Sequence, residues 1–454
     1  MPELSELEPQ LSAARPLLVR WSEALGAVDS PLRRRLVGGA FWSVLDAGFK
    51  RGFALLISIV VARAMGREVF GEFGLVQSTV GMFGLFAGLG MSVTATKYVA
   101  ELRASDPLRL GRILGLSRLV AVISGAAMTL VLVATAPWLA RTTLAAPGIG
   151  WPLQLGCGLL FFGVVNGTVL GALYGFERFK AVAFVDGIAG LLGFGAVVLG
   201  LRTHGLPGAI VGLVVGVALQ GIGYWICLSH ELRHSKLPVI YRGCTAEWRV
   251  LPRFSAPALL AVAMTGPVAW VCSTILVNQP GGYAQLGLFN AANQWHSLVL
   301  FLPLTLSAPF LPVLSSLFGT EPAKYMKVLT TGILANTLVA LVAAGAVILL
   351  SRPIMASYGS SFVSGVPALV LLVLAAVISA AVWCVGQAIA SSGNMWWGFA
   401  LNLVWAVALV SFLWLFRQSG AYGYALATLI AYGIHVFTSA YVFWRIHPRA
   451  RTGA

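Results

Sequence analysis
From residue 36 onward, apolar stretches of about 20 residues or more alternate with short polar connections, the length that a hydrocarbon core of roughly 30 Å demands of a crossing helix. Twelve such stretches can be drawn: 36 to 62, 71 to 96, 113 to 136, 151 to 173, 181 to 201, 208 to 228, 255 to 278, 285 to 318, 328 to 350, 363 to 390, 397 to 416 and 422 to 444. The pattern predicts an all-α polytopic membrane protein of about twelve transmembrane helices. Residues 1–35 are polar and place Leu4, Leu7, Leu11, Ala14, Leu18, Trp21 and Leu25 at spacings of three and four, interrupted by Pro9 and Pro16. That stripe reads either as an interfacial amphipathic segment or as a tail. Arg33, Arg34 and Arg35 precede an apolar region too long and too charged for a cleaved signal, so the first helix is expected to be retained.

The longest interior connection, 229–254, is basic and divides the spans six and six, giving an N-terminal lobe over 36–228, a C-terminal lobe over 255–444 and a tail over 445–454. The halves resemble one another. Phe70 to Gln77 (FGEFGLVQ) answers Tyr283 to Asn290 (YAQLGLFN), and His204 to Ala209 answers Ser419 to Tyr424, at offsets of 213 and 215. Halves with an even number of spans enter from the same side, which makes this a parallel repeat about an axis along the membrane normal. Pro257, Pro267, Pro303, Pro309 and Pro312 in spans seven and eight are expected kink sites.

Composition agrees with the pattern: 58% of residues are apolar, 10% are charged and mean hydropathy is +0.87, against about a quarter charged in soluble chains. The net charge of +15 is topological. Alternate segments counted from the N-terminus hold 21 Lys and Arg and the intervening loops hold 6, so both termini are expected in the cytoplasm and no nucleic-acid partner is needed. Trp138 and Trp151 bracket one outer loop, while Trp396, Trp397 and Trp444 sit at inner ends as interfacial anchors.

Candidate chemistry concentrates in the first span, which carries Asp46, Lys50 and Arg51 at its middle. Each such side chain costs roughly 2.5–3.5 kcal/mol at mid-membrane unless it faces protein or water. Asp46 and Lys50, at i and i+4, can pair, which leaves Arg51 as the unneutralised charge of a polar cavity that favours an anion. The alternative is an ion network that only fixes helix packing. Arg118 and Asp186 lie inside the cytoplasmic ends of their spans, where they pair with each other or snorkel. Asn290, Asn293, Gln294 and Ser297 form one uncharged face of span eight, suited either to hydroxyl-rich ligands or to helix-helix contacts. His296 lies off that face and reads as a packed histidine.

Catalysis has little support. His230-Glu-Leu-Arg-His234 fits the H-E-x-x-H zinc pattern, but it straddles the end of a span and a basic loop without a convincing third ligand. No P-loop occurs, since no lysine follows a glycine. The five cysteines form no C-x-x-C and none is placed for an extracellular disulfide. The reading is of a transporter without cofactor or metal.

Residues 38–102, opening GGAFWSVLDAGFKRGF, together with 283–314, 358–410 and the GAYGYALA segment at 420–427, resemble polysaccharide-unit flippases of the multidrug/oligosaccharidyl-lipid/polysaccharide exporter superfamily. The similarity covers about residues 36 to 440. It implies a fold like that of the multidrug exporters, with two six-helix lobes in a V around a central cavity. It further implies outward transfer of a polyprenyl-pyrophosphate-linked oligosaccharide across the bacterial inner membrane, in contact with membrane lipids and beside a polysaccharide polymerase and chain-length machinery. In related lipid-linked precursor flippases, basic residues of the first helix face the cavity, and Lys50 and Arg51 fit that role here. On that reading Lys50 and Arg51 receive the pyrophosphate and Arg118 draws it in. Asn290, Asn293 and Gln294 contact sugar, and Asp46 and Asp186 either carry a coupling proton or form structural ion pairs. The competing readings are a small-molecule or cation antiporter of the same fold and a non-transporting scaffold of a polysaccharide assembly complex.

Overall fold
The computed structural model describes residues 30–255, 259, 264–307, 310–393 and 395–446. The predicted N-terminal stripe, Pro257, Pro309 and the end of the tail lie outside these residues. Every regular element among the described residues is helical. The first half contains α1 (Ser30–Gly88), α2 (Met91–Leu102), α3 (Pro107–Thr142), α4 (Gly150–Gly175) and α5 (Phe179–His234). The second contains α6 (Thr265–Val277), α7 (Gly282–Leu306), α8 (Phe310–Leu317), α9 (Pro322–Leu349), α10 (Ser351–Tyr358), α11 (Val366–Ser391), α12 (Met395–Phe416) and α13 (Gly420–Ile446).

Two of these helices are each a pair of spans folded at a glycine. α1 reverses at Gly66 (φ 76°) and α5 at Gly205 (φ 60°), backbone angles that a residue with a Cβ adopts only at a cost. Span two is broken within its expected length: Leu89 and Gly90 both take positive φ and the chain continues as α2. A side chain at Gly90 would stand 2.5 Å from the carbonyl of Ser255.

Among the described residues, six helical stretches are long and apolar enough to cross a membrane. They contain eight of the twelve predicted spans, because Phe179–His234 and Trp396–Arg445 hold two each. The remaining four are spans one, two, seven and eight. In the structure these four, carried by α1, α6 and α7, pack on one another between the two halves of the chain. Span seven enters the structure as the short apolar helix Thr265–Val277, while span one carries Asp46, Lys50 and Arg51, polar groups that a helix tolerates where it faces other protein or a cavity.

At the end of the bundle that carries Gly66 and Gly281, the repeat-related segments FGEFGLVQ and YAQLGLFN lie against each other. A Cβ on Gly71 would overlap the Tyr283 carbonyl, and one on Gly287 would overlap the Arg67 carbonyl. The two backbones therefore meet with nothing between them. Phe70 packs on Tyr358 and Phe362 beside this contact. Tyr283 donates its hydroxyl to the Leu144 carbonyl at 2.6 Å, and Asn278 donates to the Thr143 carbonyl at 2.8 Å.

The interlobe connection at the opposite end is folded onto the first half. Ile240 donates its backbone N–H to the Gly111 carbonyl at 3.0 Å, and Glu247 meets Arg109 and Arg112 at 3.3 and 3.5 Å. Thr94 and Ser255 share a hydrogen bond of 2.8 Å. This stretch is a packed part of the first half through Ser255, more than a free tether.

Candidate functional site
Asp46 and Lys50 stand one turn apart on α1, and Asp186 faces them from the first part of α5. Lys50 Nζ lies 3.0 Å from Asp46 Oδ2 and 2.9 Å from Asp186 Oδ2, so a single ammonium bridges two carboxylates that are 4% and 3% exposed. Tyr174 from α4 donates to Asp46 Oδ2 at 3.1 Å. From the second part of α5, Tyr224 and Gln220 donate to Asp186 Oδ1 at 2.6 and 2.5 Å. Charges removed from water persist when they are paired and hydrogen-bonded, and this cluster draws on three helices to do so, with Asp46 Oδ1 left without a hydrogen-bond partner among the described residues.

Arg51 points to the other side of α1 and reaches the second half of the chain. Its Nη1 donates to the Ser297 carbonyl at 2.6 Å, and its Cζ lies 4.8 Å from the centroid of the Phe301 ring. No carboxylate partners it among the described residues, so its full charge stands beside a cavity of about 360 Å³ bounded by Lys50, Ala54, Gln294 and Ser297. A second cavity of about 230 Å³ shares Lys50, Ala54 and Gln294 and extends into the first half. Gln294 spans the halves by donating to Ser58 Oγ at 3.1 Å.

The structure brings Lys50, Arg51 and Gln294 to one place and distributes the other candidates around it. Asn290 lies nearer the Gly66 end, with its amide nitrogen over Gly74 and without a hydrogen-bond partner among the described residues. Asn293 is half-buried on the same helix. Arg118 is not the partner of Asp186, which is taken by Lys50. It is half-buried on α3, and its Nη2 is buried without a hydrogen-bond partner among the described residues. His296 is buried against the Tyr432 ring, 6.4 Å between centroids.

In the H-E-x-x-H stretch the rings of His230 and His234 lie parallel, 6.5 Å apart, while Glu231 is held by Arg178 at 2.5 Å. Among the described residues no group of three metal-ligating side chains assembles.

Sequence reasoning missed Tyr174, Gln220, Tyr224, Ser58 and Gln77 as members of this region. Gln220 and Tyr224 carry the one legible signal, an i, i+4 polar pair on one face of a span. Nothing in spacing connects them to Asp46, because the link runs through tertiary packing.

The family described as polysaccharide biosynthesis protein matches residues 36–318, a stretch that includes both the ion cluster and the polar face of α7. The chain belongs to this family. Among curated proteins, the lipid III flippase of Escherichia coli (strain K12) is 25% identical over 290 residues, covering 62% of this chain and 68% of that one. Among solved structures, an inward-facing multidrug resistance MATE transporter of the MOP superfamily superposes with a TM-score of 0.74 at 17% identity. That superposition covers 88% of this chain and 96% of the transporter. The lipid II flippase MurJ, in an inward closed conformation, gives 0.69 at 14% identity with 89% of each chain covered. The chain therefore has the fold of these transporters, and its family-matched stretch holds every charged residue of the candidate site.

Proposed function
We propose that the protein is a flippase that moves a polyprenyl-pyrophosphate-linked oligosaccharide from the cytoplasmic to the outer leaflet of the bacterial inner membrane, for assembly of a surface polysaccharide. The observation that carries this reading is Arg51. It is a cation without a carboxylate partner among the described residues, placed between the two halves of the chain and opening onto a cavity whose other polar residues are Lys50, Gln294 and Ser297. A guanidinium matches a phosphate oxygen pair by its fork geometry, and in a low-dielectric site it acts on a passing anion far more strongly than in water. Lipid-linked relatives, the lipid III flippase among them, support the substrate class.

Within this reading the roles divide. Arg51 meets the pyrophosphate first, because Lys50 is held by Asp46 and Asp186 and is released only when the substrate competes for it. Arg118, nearer the cytoplasmic end, draws the headgroup in. Asn290, Asn293 and Gln294 line the path of the sugars. Asp46 and Asp186 position Lys50, and either is available to a coupling proton. The termini face the cytoplasm, so the glycine contact between FGEFGLVQ and YAQLGLFN is the outer closure, and its separation would open the cavity outward in alternating access.

The test is surface-polymer export in cells that lack the native protein and carry Arg51→Lys or Arg51→Ala at matched protein levels. Export is expected to be weakened by the first and abolished by the second. Unchanged export in the Arg51→Ala cells would remove this residue from the site.

A further inference from the structure
The smaller of the two cavities is built differently from the one beside Arg51, and the difference specifies what it takes. It lies among the two parts of α1 and the two parts of α5, and its walls include Phe53, Phe73 and Phe194. Its back is formed by Gly193 and Gly216, so close that a Cβ on the first would stand 2.9 Å from the Cα of the second. Three carboxamides converge on this space. Gln77 is exposed into it and Gln294 stands at the mouth. Gln220 gives its amide N–H to Asp186, and its carbonyl accepts no hydrogen bond among the described residues.

The pocket's ionised groups are Lys50 and Asp186, and Lys50 is shared with Asp46. The space therefore offers no free positive charge to an anion, is rich in groups that both donate and accept, and is faced with phenyl rings. An alkyl chain would leave the carboxamides unpaired, and a second anion would meet Asp186. A neutral pyranose satisfies both surfaces, with hydroxyls on the carboxamides and its C–H face on a ring.

The pocket joins the Arg51 cavity at Lys50 and Gln294, so a group bound here is a direct neighbour of a pyrophosphate bound there. We infer that this pocket is the subsite for the single uncharged sugar attached to the pyrophosphate, and that Gln77 and Gln220 select for it. The inference rests on the proposed flippase reading and adds to it where the first sugar sits and what charge that sugar must have.

Binding to the purified full-length chain in nanodiscs would test it with three synthetic probes of one short polyprenyl chain. The first is the bare pyrophosphate, the second the pyrophosphate bearing one neutral hexose and the third the pyrophosphate bearing one uronic acid. The neutral hexose is expected to tighten binding about tenfold over the bare pyrophosphate, a modest share of what a hydrogen-bonding pocket can discriminate, and the uronic acid to give no gain. Gln77→Leu is expected to erase the gain while leaving affinity for bare pyrophosphate unchanged. Equal affinity of the unaltered protein for bare and hexose-bearing probes would overturn the subsite and leave the pyrophosphate reading standing. Failure to bind any of the three would overturn both. Because the comparison among probes is made on the unaltered protein, it holds even if Gln77→Leu does not fold.

Discussion

The two halves of the chain repeat one another in sequence and meet at their repeat-related segments, yet their interiors are polar in different ways. At the offset of 213 that relates FGEFGLVQ to YAQLGLFN, Asp46, Lys50 and Arg51 correspond to Leu259, Ala263 and Met264. From residue 264 to residue 446 the charged residues are Glu321, Lys324, Lys327, Arg352, Arg417 and Arg445, all near helix ends or loops. The interior of the second half is instead satisfied by neutral groups. Asn336 donates to both Ser307 and Cys384, and Tyr325 donates to the Ala388 carbonyl at 3.2 Å. The lesson is that the repeat has kept the packing surface common and made the chemistry unequal. Each segment supplies a glycine where the backbones touch, Gly71 in the first and Gly287 in the second, while charge is concentrated in the first half, which suits a substrate with one anionic end and a neutral remainder.

The largest expected effect comes from breaking the charged interior. Lys50→Met leaves Asp46 and Asp186 buried without a counterion. Losing one partner of a buried pair costs roughly 3–5 kcal/mol, and because the lysine side chain is 36% exposed the expected loss is about 2–3 kcal/mol. Thermal unfolding in detergent would read it, and adding Asp46→Asn to Lys50→Met should restore part of the loss. No recovery would mean that the cluster does not behave as one electrostatic unit.

Next comes the shared surface. Gly287→Leu forces a side chain into the Arg67 carbonyl, and overpacking of this kind costs about 1–3 kcal/mol, here paid only in the state with this end closed. Export should fall tenfold or more, by about the factor those energies imply. A cysteine introduced into the Lys50 cavity should become more reactive toward an impermeant thiol reagent added from outside the cell. Unaltered labelling would contradict the assignment of this contact as the outer closure.

Arg51→Lys keeps the charge and loses the fork. A hydrogen bond to a charged group is worth about 1.5–3 kcal/mol, so export is expected to drop by around tenfold, which a dose series of induced protein would resolve. The smallest effect belongs to the neutral interior. Asn336→Leu should cost about 0.6 kcal/mol, the average for a side-chain hydrogen bond between membrane helices. A loss as large as that of Lys50→Met would erase the asymmetry between the halves.

Much of the fold was legible because lipid imposes a length and a polarity on every crossing helix. The spans of 113–136 and 328–350, with apolar residues exposed on their surfaces, emerge in the structure as single helices, the second ending at Leu349. Span two was less legible. Its apolar run continues past Gly88, but the helix breaks at Leu89-Gly90, where the Ser255 carbonyl lies close by, a contact remote in sequence. For the candidate site, the i, i+4 spacing of Asp46 and Lys50 lies in the sequence, as does the separate facing of Arg51. The engagement of Asp186 with Lys50 in preference to Arg118 does not, because it depends on how α5 packs on α1. Gln77 was likewise passed over, since one glutamine in an apolar span carries no periodic signal.

In the proposed function Arg51 receives the anionic end of a lipid-linked sugar in the cavity between the halves. This role is tested most directly in liposomes that hold the purified protein and a fluorescent polyprenyl-pyrophosphate-oligosaccharide, by following exposure of the oligosaccharide at the opposite leaflet with Arg51→Ala in parallel. Exposure is expected to depend on the protein and to be lost in Arg51→Ala. Exposure that proceeds equally well with Arg51→Ala, or movement of a cationic dye with no movement of the lipid-linked sugar, would contradict it.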